Sequence, residues 1–356
     1  MSLKNEELQK FLEAKSQELG FSHFGASPLT RPLSFEIYQS WLNEGLHGKM
    51  EYLATHAPIK EKPQTKWPKA HSALVFAVPY FPHPMPAEGF PLKQARVSLY
   101  AQGYDYHLWF KMKMQTLCDE LKSLWPDEEF VPMTDSSPVL ERDLAYRAGL
   151  GWVGKNTCVI HPKKGSLFFI GEIYSSLAFK AETIPVHDFC GTCTRCIDIC
   201  PTQAITEERK LDARKCISYL TIESRELPPE DLREKIGDWF FGCDLCQTVC
   251  PWNQKAFKNQ LSIELVQNKS ADEATALEEE LRWILTSSSK GLEKSLAGTP
   301  LSRAGGFGLK RNALIVVANR GMLALRTEVE ALVDHPKLGE LAQWALGRLT
   351  MASLQN

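Results

Sequence analysis

The chain has no long hydrophobic run. Nowhere in its 356 residues does an apolar stretch reach the roughly 20 residues that a membrane-spanning helix needs, so a membrane protein is not expected. It also lacks the opening of an exported protein. Met1-Ser2-Leu3-Lys4-Asn5-Glu6-Glu7 is polar and acidic, and no twin arginine precedes an apolar segment. A cytoplasmic location follows as the expectation. Excess charge is missing as well. Lys and Arg number 41 against 43 Asp and Glu, a net charge of −2, which leaves any contact with nucleic acid to a local patch. Composition is otherwise that of a soluble globular chain long enough for two or three domains.

Cysteine is what the chain has in quantity. There are ten, and in a cytosolic protein they argue for metal or redox chemistry rather than disulfides. Cys190-x2-Cys193-x2-Cys196-x3-Cys200-Pro201 is a ferredoxin run, in which three cysteines hold one 4Fe-4S cluster and the fourth reaches a second. Cys243-x2-Cys246-x3-Cys250-Pro251 repeats it without the leading cysteine, whose place Phe240 takes. Cys216 lies between the motifs and supplies the missing thiolate. By symmetry, cluster one takes Cys190, Cys193, Cys196 and Cys250, and cluster two takes Cys200, Cys216, Cys243 and Cys246. A zinc ribbon would instead use two separated C-x2-C pairs. Cys118 and Cys158 remain and are read as buried and inert.

A bare two-cluster ferredoxin needs only about 60 residues, in line with small domains stapled by metal. About 180 residues precede the clusters here, the size of a domain of its own, so a second site for a cofactor or substrate is expected. Patterning gives that region an α+β reading. A helix spans 1–23, a buried strand Ser72–Tyr80 and a proline-rich loop runs through Pro91. Then follow a helix over Tyr106–Leu124 and a strand over Phe130–Met133. Ser137 should cap a helix over Pro138–Ala148, and Thr157–Ile160 should form a hairpin with Ser166–Leu177. Residues 271–294 read as a polar segment, and helices are expected at Asn312–Arg320, Leu323–Val333 and Leu338–Met351. The division is 1–180, 181–260 and 261–356. No apolar helix face is left exposed in this pattern, so a monomer is expected.

Several blocks resemble epoxyqueuosine reductase, a cobalamin-dependent iron–sulfur family of tRNA queuosine synthesis. They are Tyr100-Ala101-Gln102-Gly103-Tyr104-Asp105-Tyr106-His107, Asp135-x-x-Pro138-x-x-Glu141-Arg142, Ala148-Gly149-Leu150-Gly151-Trp152-x-Gly154-Lys155-Asn156, both cysteine motifs and Lys310-Arg311-Asn312. The resemblance implies a nitroreductase-like, cobalamin-binding N-terminal domain, a bacterial-ferredoxin-like domain and a HEAT-like helical C-terminus. It implies two electrons and two protons taken up to convert an epoxide into an alkene and water. Asp135 falls where the family has its proton donor, with a pKa that a dry site would raise; Asp105 and His107 are further catalytic candidates. Cobalamin contacts fall on Lys60, Tyr100, Asp135, Gly154, Lys155, Asn156, Val159, Ile170, Ser218 and Thr221, with Lys155 on a cofactor phosphate. Lys60 stands where the family more often has arginine.

The expected partners are a tRNA carrying epoxyqueuosine in its anticodon loop and an external low-potential electron donor. Residues 298–327 contain no Asp or Glu but include Arg303, Lys310, Arg311, Arg320 and Arg326, a basic face suited to phosphate. Trp41, Tyr104 and Trp252 are candidates for stacking on a splayed base. Two rivals stand beside this reading: another cobalamin reductase such as a reductive dehalogenase, and an electron carrier without catalysis of its own.

Overall fold

The computed structural model describes residues 2–81, 90–179, 186–258 and 271–355. Most of the proline-rich loop expected through Pro91 lies outside these residues. Among them, no helix is long and apolar enough to cross a membrane.

A four-stranded sheet organises the N-terminal half. Its strands are β1 (His23–Pro28), β2 (Ser72–Pro79), β3 (Phe130–Thr134) and β4 (Phe168–Ser175), in the order β1-β2-β4-β3 and antiparallel throughout. Strand β2 is apolar on both faces because both are covered. Leu74, Phe76 and Val78 pack on α1 (Ser2–Leu19) through Leu8 and Leu12, and on α2 (Tyr106–Leu124) through Phe110, Met114 and Leu117. Ala73, Val75 and Ala77 share the opposite face with Leu144 and Ala145 of α3 (Glu141–Arg147). The result is a helix–sheet–helix sandwich. Gly171 of β4 is required by its close approach to α2, since a Cβ there would lie 2.8 Å from the Phe110 ring.

Two local expectations fail. The helix placed at Pro138–Ala148 starts only at Glu141, behind Leu140 and without a side-chain cap. Ser137 instead donates its backbone N–H to Thr134 O at 2.7 Å, so the chain is still turning where a cap was expected. The hairpin joining Thr157–Ile160 to Ser166–Leu177 does not form either. Val159–Ile160 pairs with Trp152–Val153, and β4, covered on both sides, enters the middle of the sheet.

A second core gathers segments far apart in sequence. It includes Val97, Ile217 and Leu220 of α4 (Ile217–Ile222), Phe240 and Phe241, and the C-terminal helices. Arg96–Val97 pairs in parallel with Trp239–Phe241, so packing runs across the sequence boundaries at 180 and 260. Residues expected to be a polar segment form the helices Ala271–Thr286 and Ser289–Ser295. The helix expected from Asn312 begins earlier, as α5 (Gly305–Arg320), and ends on Gly321 at φ 62°. The stretch from Leu323 divides into a 3-10 turn, Leu323–Leu325, and a short helix, Arg326–Glu330; the last helix is Gly339–Gln355.

Helix α5 clasps the cysteine-bearing segment with three polar side chains. Asn312 Nδ2 donates to Thr221 O and Phe240 O, both at 2.8 Å, and Asn319 Nδ2 to Arg233 O and Gly237 O, both at 2.8 Å. Arg311, fully buried, donates to Ser224 O at 2.6 Å and Glu226 O at 3.0 Å. These carbonyls close loops and helix ends inside a core, where each needs a donor.

Candidate active site and cysteine cages

The fold sorts eight cysteines into two groups. Cys190, Cys193, Cys196 and Cys250 line one cavity of ≈ 320 Å³, together with Lys155 and Trp252. Cys200, Cys216, Cys243 and Cys246 lie in a second group: Cys200 acts on Cys216, Cys216 on Cys243, and both Cys216 and Cys243 on Cys246, after burial among the causes that push these three thiols up. Each group draws on both motifs. The short helices Arg195–Asp198 and Leu245–Thr248 pack together and bring the motifs side by side. Among the described residues, no three Cys, His, Asp or Glu side chains converge on one ion position; the first group surrounds a volume instead, as a polynuclear cluster requires.

Donors aim at the sulfurs. Trp152 Nε1 lies 3.4 Å from Cys190 Sγ, and Ala204 N lies 3.3 Å from Cys200 Sγ. Cys216 accepts from the N–H groups of Tyr219 and Ser218 and from the Ser218 side chain, Cys243 from Leu245 N–H, and Cys250 from the N–H groups of Trp252 and Asn253. Such bonds suit cluster thiolates and tune their potential. Burial, followed by neighbouring thiols, pushes Cys196 up to about 11, so holding these groups as thiolates calls for positive charge between them. The residues therefore fit two clusters. Cys158 lies between the groups, its thiol pushed by burial to about 12, and Cys118 is buried on the core side of α2.

A separate polar constellation stands at the start of α2. Asp105 caps the helix by accepting His107 N–H at 3.0 Å and also holds His107 Nδ1 at 2.7 Å. Asp135 Oδ2 accepts from Tyr106 Oη at 2.7 Å and lies 3.1 Å from His107 Nε2. Tyr106 is clamped between the His107 and Phe169 rings, both with centroids at 4.1 Å. Burial disfavours the His107 imidazolium, but the two carboxylates outweigh it and raise its pKa to about 9. Asp135 moves the other way. Neighbouring protein atoms push its half-exposed carboxyl up, yet the bonds from His107 and Tyr106 prevail and hold it below the usual range. The expected raised pKa of Asp135 is thus reversed: the proton of this pair rests on histidine.

Behind Asp135 are groups that motif reading passed over. Glu141, at the start of α3, is pushed to about 8 by burial and then by Asp135, and Glu172 of β4 is wholly buried and pushed far up. Lys60 is buried with its ammonium 4.9 Å over the Tyr38 ring, and burial, then Arg142, lowers it to about 8. In front, Arg303 holds Glu223 through two bonds of 2.9 and 3.0 Å, lies 5.8 Å over the Tyr52 ring, and helps to hold Asp135 low. The Tyr100 ring lies 6.0 Å from that of Tyr106, which bonds Asp135, and on its other flank packs against Gly242, the residue before Cys243. It therefore stands between the proton site and the second cysteine group. The periodic patterns that flag helices and strands carry no sign of Glu141 or Glu172; the one signal was Glu141 inside the Asp135 block.

Other expected cofactor contacts are engaged within the protein. Lys155 Nζ donates to Gly191 O at 2.7 Å and pairs with Glu208 at 2.6 Å, beside the first cavity, so it is not free for a cofactor phosphate. Asn156 Nδ2 donates to Cys246 O at 3.1 Å. A Cβ at Gly154 would meet Ile160 at 2.5 Å. Val159 and Ile170 pack in the apolar layer below α3. Thr221 Oγ1 donates to Ile217 O and accepts from Gly242 N at 3.0 Å. Lys60, Tyr100 and Asp135 do gather, and Ser218 sits on the Cys216 sulfur.

The basic stretch is not an open face. Arg311 is buried in the clasp, Lys310 Nζ donates to Leu285 O at 2.9 Å, Arg320 pairs with Asp238 at 2.6 Å and Arg326 with Glu330 at 2.8 Å. The acids missing between 298 and 327 arrive from elsewhere in the fold. Of the five, Arg303 is the one beside the Asp135 constellation. Trp252 packs against Trp152 and Phe189 at the first cavity, and Trp41 Nε1 donates to Leu211 O at 2.6 Å, while Tyr104 is 51% exposed.

Two four-cysteine cages beside a layered domain that carries a proton-holding Asp–His pair define an iron–sulfur oxidoreductase. Residues 189–253 match the family model described as a 4Fe-4S double cluster binding domain, and residues 60–136 match the model of epoxyqueuosine reductase QueG. A curated epoxyqueuosine reductase from Aliivibrio fischeri is 33% identical over 100% of this chain and 95% of its own. That from Pseudomonas aeruginosa is 35% identical over 93% and 92%, and that from Xanthomonas campestris pv. campestris 43% identical over 68% of each. Among solved structures, Bacillus subtilis epoxyqueuosine reductase superposes with a TM-score of 0.80 at 27% identity, covering 96% of this chain and 90% of that one. An epoxyqueuosine reductase with an epoxyqueuosine-modified tRNA-Tyr stem loop gives 0.77 at 26% identity, with the same coverage. The chain belongs to the epoxyqueuosine reductase family.

Proposed function

We propose that this protein reduces epoxyqueuosine to queuosine in tRNA, in the cytosol and as a monomer. The observation that carries the reading is the position of Tyr100, with the Asp135–His107 proton site on one side, through Tyr106, and the second cysteine group on the other, through Gly242. Reduction of an epoxide to an alkene and water takes two electrons and two protons, so both supplies must meet at one place. On this reading the domains are 1–180, nitroreductase-like; 181–260, ferredoxin-like; and 261–356, HEAT-like.

Cys190, Cys193, Cys196 and Cys250 hold one 4Fe-4S cluster, and Cys200, Cys216, Cys243 and Cys246 the other. Electrons enter from an external low-potential donor. Lys60, Tyr100 and Asp135 would hold cobalamin, which when bound supplies a strongly reducing centre able to give electrons singly or in pairs. The chain supplies the proton. His107 keeps it at neutral pH, and the 3.1 Å contact to Asp135 passes it to the carboxylate that faces the leaving oxygen, as general acid catalysis requires. Tyr106 fixes that carboxylate from the other side. At the rim, Arg303 and Tyr52 are placed for a phosphate and a base of the anticodon loop.

The test is conversion. Anaerobically purified protein, reconstituted with iron, sulfide and cobalamin and given a low-potential reductant, should convert epoxyqueuosine-containing tRNA to queuosine tRNA, read by mass spectrometry of the digested nucleosides. Failure to bind cobalamin, or to remove the oxygen, refutes the proposal.

A further inference from the structure

Four residues lining the first cysteine cavity, Phe189, Arg195, Pro251 and Lys255, are exposed, so this cavity lies at the surface. Phe189, the residue before Cys190, is 47% exposed. Its ring lies 5.2 Å from that of Trp152 and 5.5 Å from that of Trp252, and Trp152 Nε1 lies 3.4 Å from Cys190 Sγ. A single indole therefore separates a ring in solvent from a cluster ligand. The short helix Pro251–Ala256 carries Lys255 on this cavity and Ala256 on a second one of ≈ 370 Å³, whose rim adds Lys163, Lys164 and Lys258. With Arg195 these make five exposed cations. The nearby acids are engaged elsewhere: Asp188 with Arg209, Glu208 with Lys155 at 2.6 Å, and Asp198 with Thr194 Oγ1 at 2.7 Å. Among the described residues the five cations have no ion-pair partner, which leaves this face positive. The second cysteine group points the other way, toward Asp135 through Gly242 and Tyr100, and no residue lining the first cavity belongs to the Asp135 constellation.

We infer that this face, Phe189 ringed by Arg195, Lys255 and the lysines of the second cavity, is the docking surface of a small acidic one-electron carrier protein, which reduces the cluster held by Cys190, Cys193, Cys196 and Cys250. The inference rests on the proposed function and gives its external donor a place and a charge. A cationic rim steers an anionic protein and fixes its approach, and one exposed ring with Pro251 supplies the small apolar centre of a transient interface. Each encounter oxidises the reduced carrier by one electron and reduces the cluster by one. No bond or proton is exchanged, and two encounters match the two electrons that an epoxide takes. RNA is a polyanion too, but its reacting base must reach Asp135, where Arg303 and Tyr52 stand, at the far end of the cysteine pair.

The probe is an acidic flavodoxin in its hydroquinone form, mixed anaerobically with the cluster-reconstituted protein without tRNA. Its oxidation to the semiquinone, followed by stopped-flow absorbance, should be fast at low salt and slow down as ionic strength rises. Lys255→Glu and Arg195→Glu should each slow it by about tenfold or more, the low end of electrostatic steering, at unchanged iron content. Lys10→Glu, the same reversal at an exposed position of α1, should keep the wild-type rate. If a reversal beside the cysteines costs iron, Lys163→Glu decides, since its cavity is lined by no cysteine. Carbodiimide coupling of flavodoxin carboxylates should join Lys255, Lys163 or Lys164. Variant rates equal to wild type, an equal loss in Lys10→Glu, cross-links elsewhere, or clusters left oxidised by the hydroquinone overturn the inference. So does a loss of tRNA affinity in place of electron transfer, which would make this an RNA surface. None of these readouts needs the epoxide. A protein that takes electrons here yet leaves epoxyqueuosine unchanged refutes the proposed function and keeps the docking site.

Discussion

Replacing Asp135 by Asn separates the chemistry of this site from its architecture. The amide keeps the shape and still accepts from Tyr106 Oη at 2.7 Å, so fold and iron content should be unchanged. The charge is lost, and with it one of the two carboxylates that raise His107 to about 9. Asp105, at the shorter 2.7 Å, remains, while the 3.1 Å contact loses its charge. A charge-assisted hydrogen bond contributes about 1.5–3 kcal/mol, and one pH unit is worth about 1.4 kcal/mol. His107 is about one-third exposed, which discounts the lower figure further. Its pKa should therefore fall by about one pH unit toward the ordinary 6.5, as read by NMR titration of the imidazole. Turnover should drop by about 10²–10⁴-fold, the usual contribution of a positioned acid. An unshifted His107 with lost activity would place the effect elsewhere than in this pair; full activity would remove Asp135 from the reaction.

Four further outcomes are expected. Cys216→Ser should cost the second cluster and spare the first, so iron per chain falls to about half; full iron would show that Cys216 is not a ligand. Arg311→Ala should destabilise the protein by about 2–5 kcal/mol, because two buried carbonyls lose their donor and a cavity opens, without changing tRNA affinity. Arg303→Ala should instead weaken tRNA binding and flatten its salt dependence by about one counterion; the opposite pattern would return the RNA surface to the clasp. His107 also sets a pH window for stability. Its folded pKa is raised from 6.5 to about 9, so its contribution is complete below pH 6.5 and is lost as pH rises through 9. Melting curves of wild type and His107→Gln should converge over that interval.

Local signals survived folding where one force dominated. Tyr106–Leu124 is a helix over the residues read from its pattern, because its apolar stripe meets the sheet and Asp105 closes its N-terminus. Cysteine spacing pointed to the four residues that line the first cavity, Cys190, Cys193, Cys196 and Cys250, since ligand geometry leaves little freedom. Failures came where a partner distant in sequence decided the outcome. Nothing near Ser166–Leu177 says that the strand will lie between two others, yet that position buries both its faces. Arg303 and Arg320 looked free because their acids, Glu223 and Asp238, lie some 80 residues away. Asp135 shows the same for electrostatics: a dry site was anticipated, but its side chain is half exposed and the histidine and tyrosine that hold its pKa low come from α2, some 30 residues before it.

The clasp has a consequence for how this chain can vary. Asn312 reaches Thr221 O, and Thr221 in turn receives the N–H of Gly242, the residue before Cys243. The second iron–sulfur cage therefore has part of its foundation in the last sixth of the chain. Those helices cannot be shed or exchanged as a detachable adaptor, and a truncation made to probe RNA recognition will first register as missing iron.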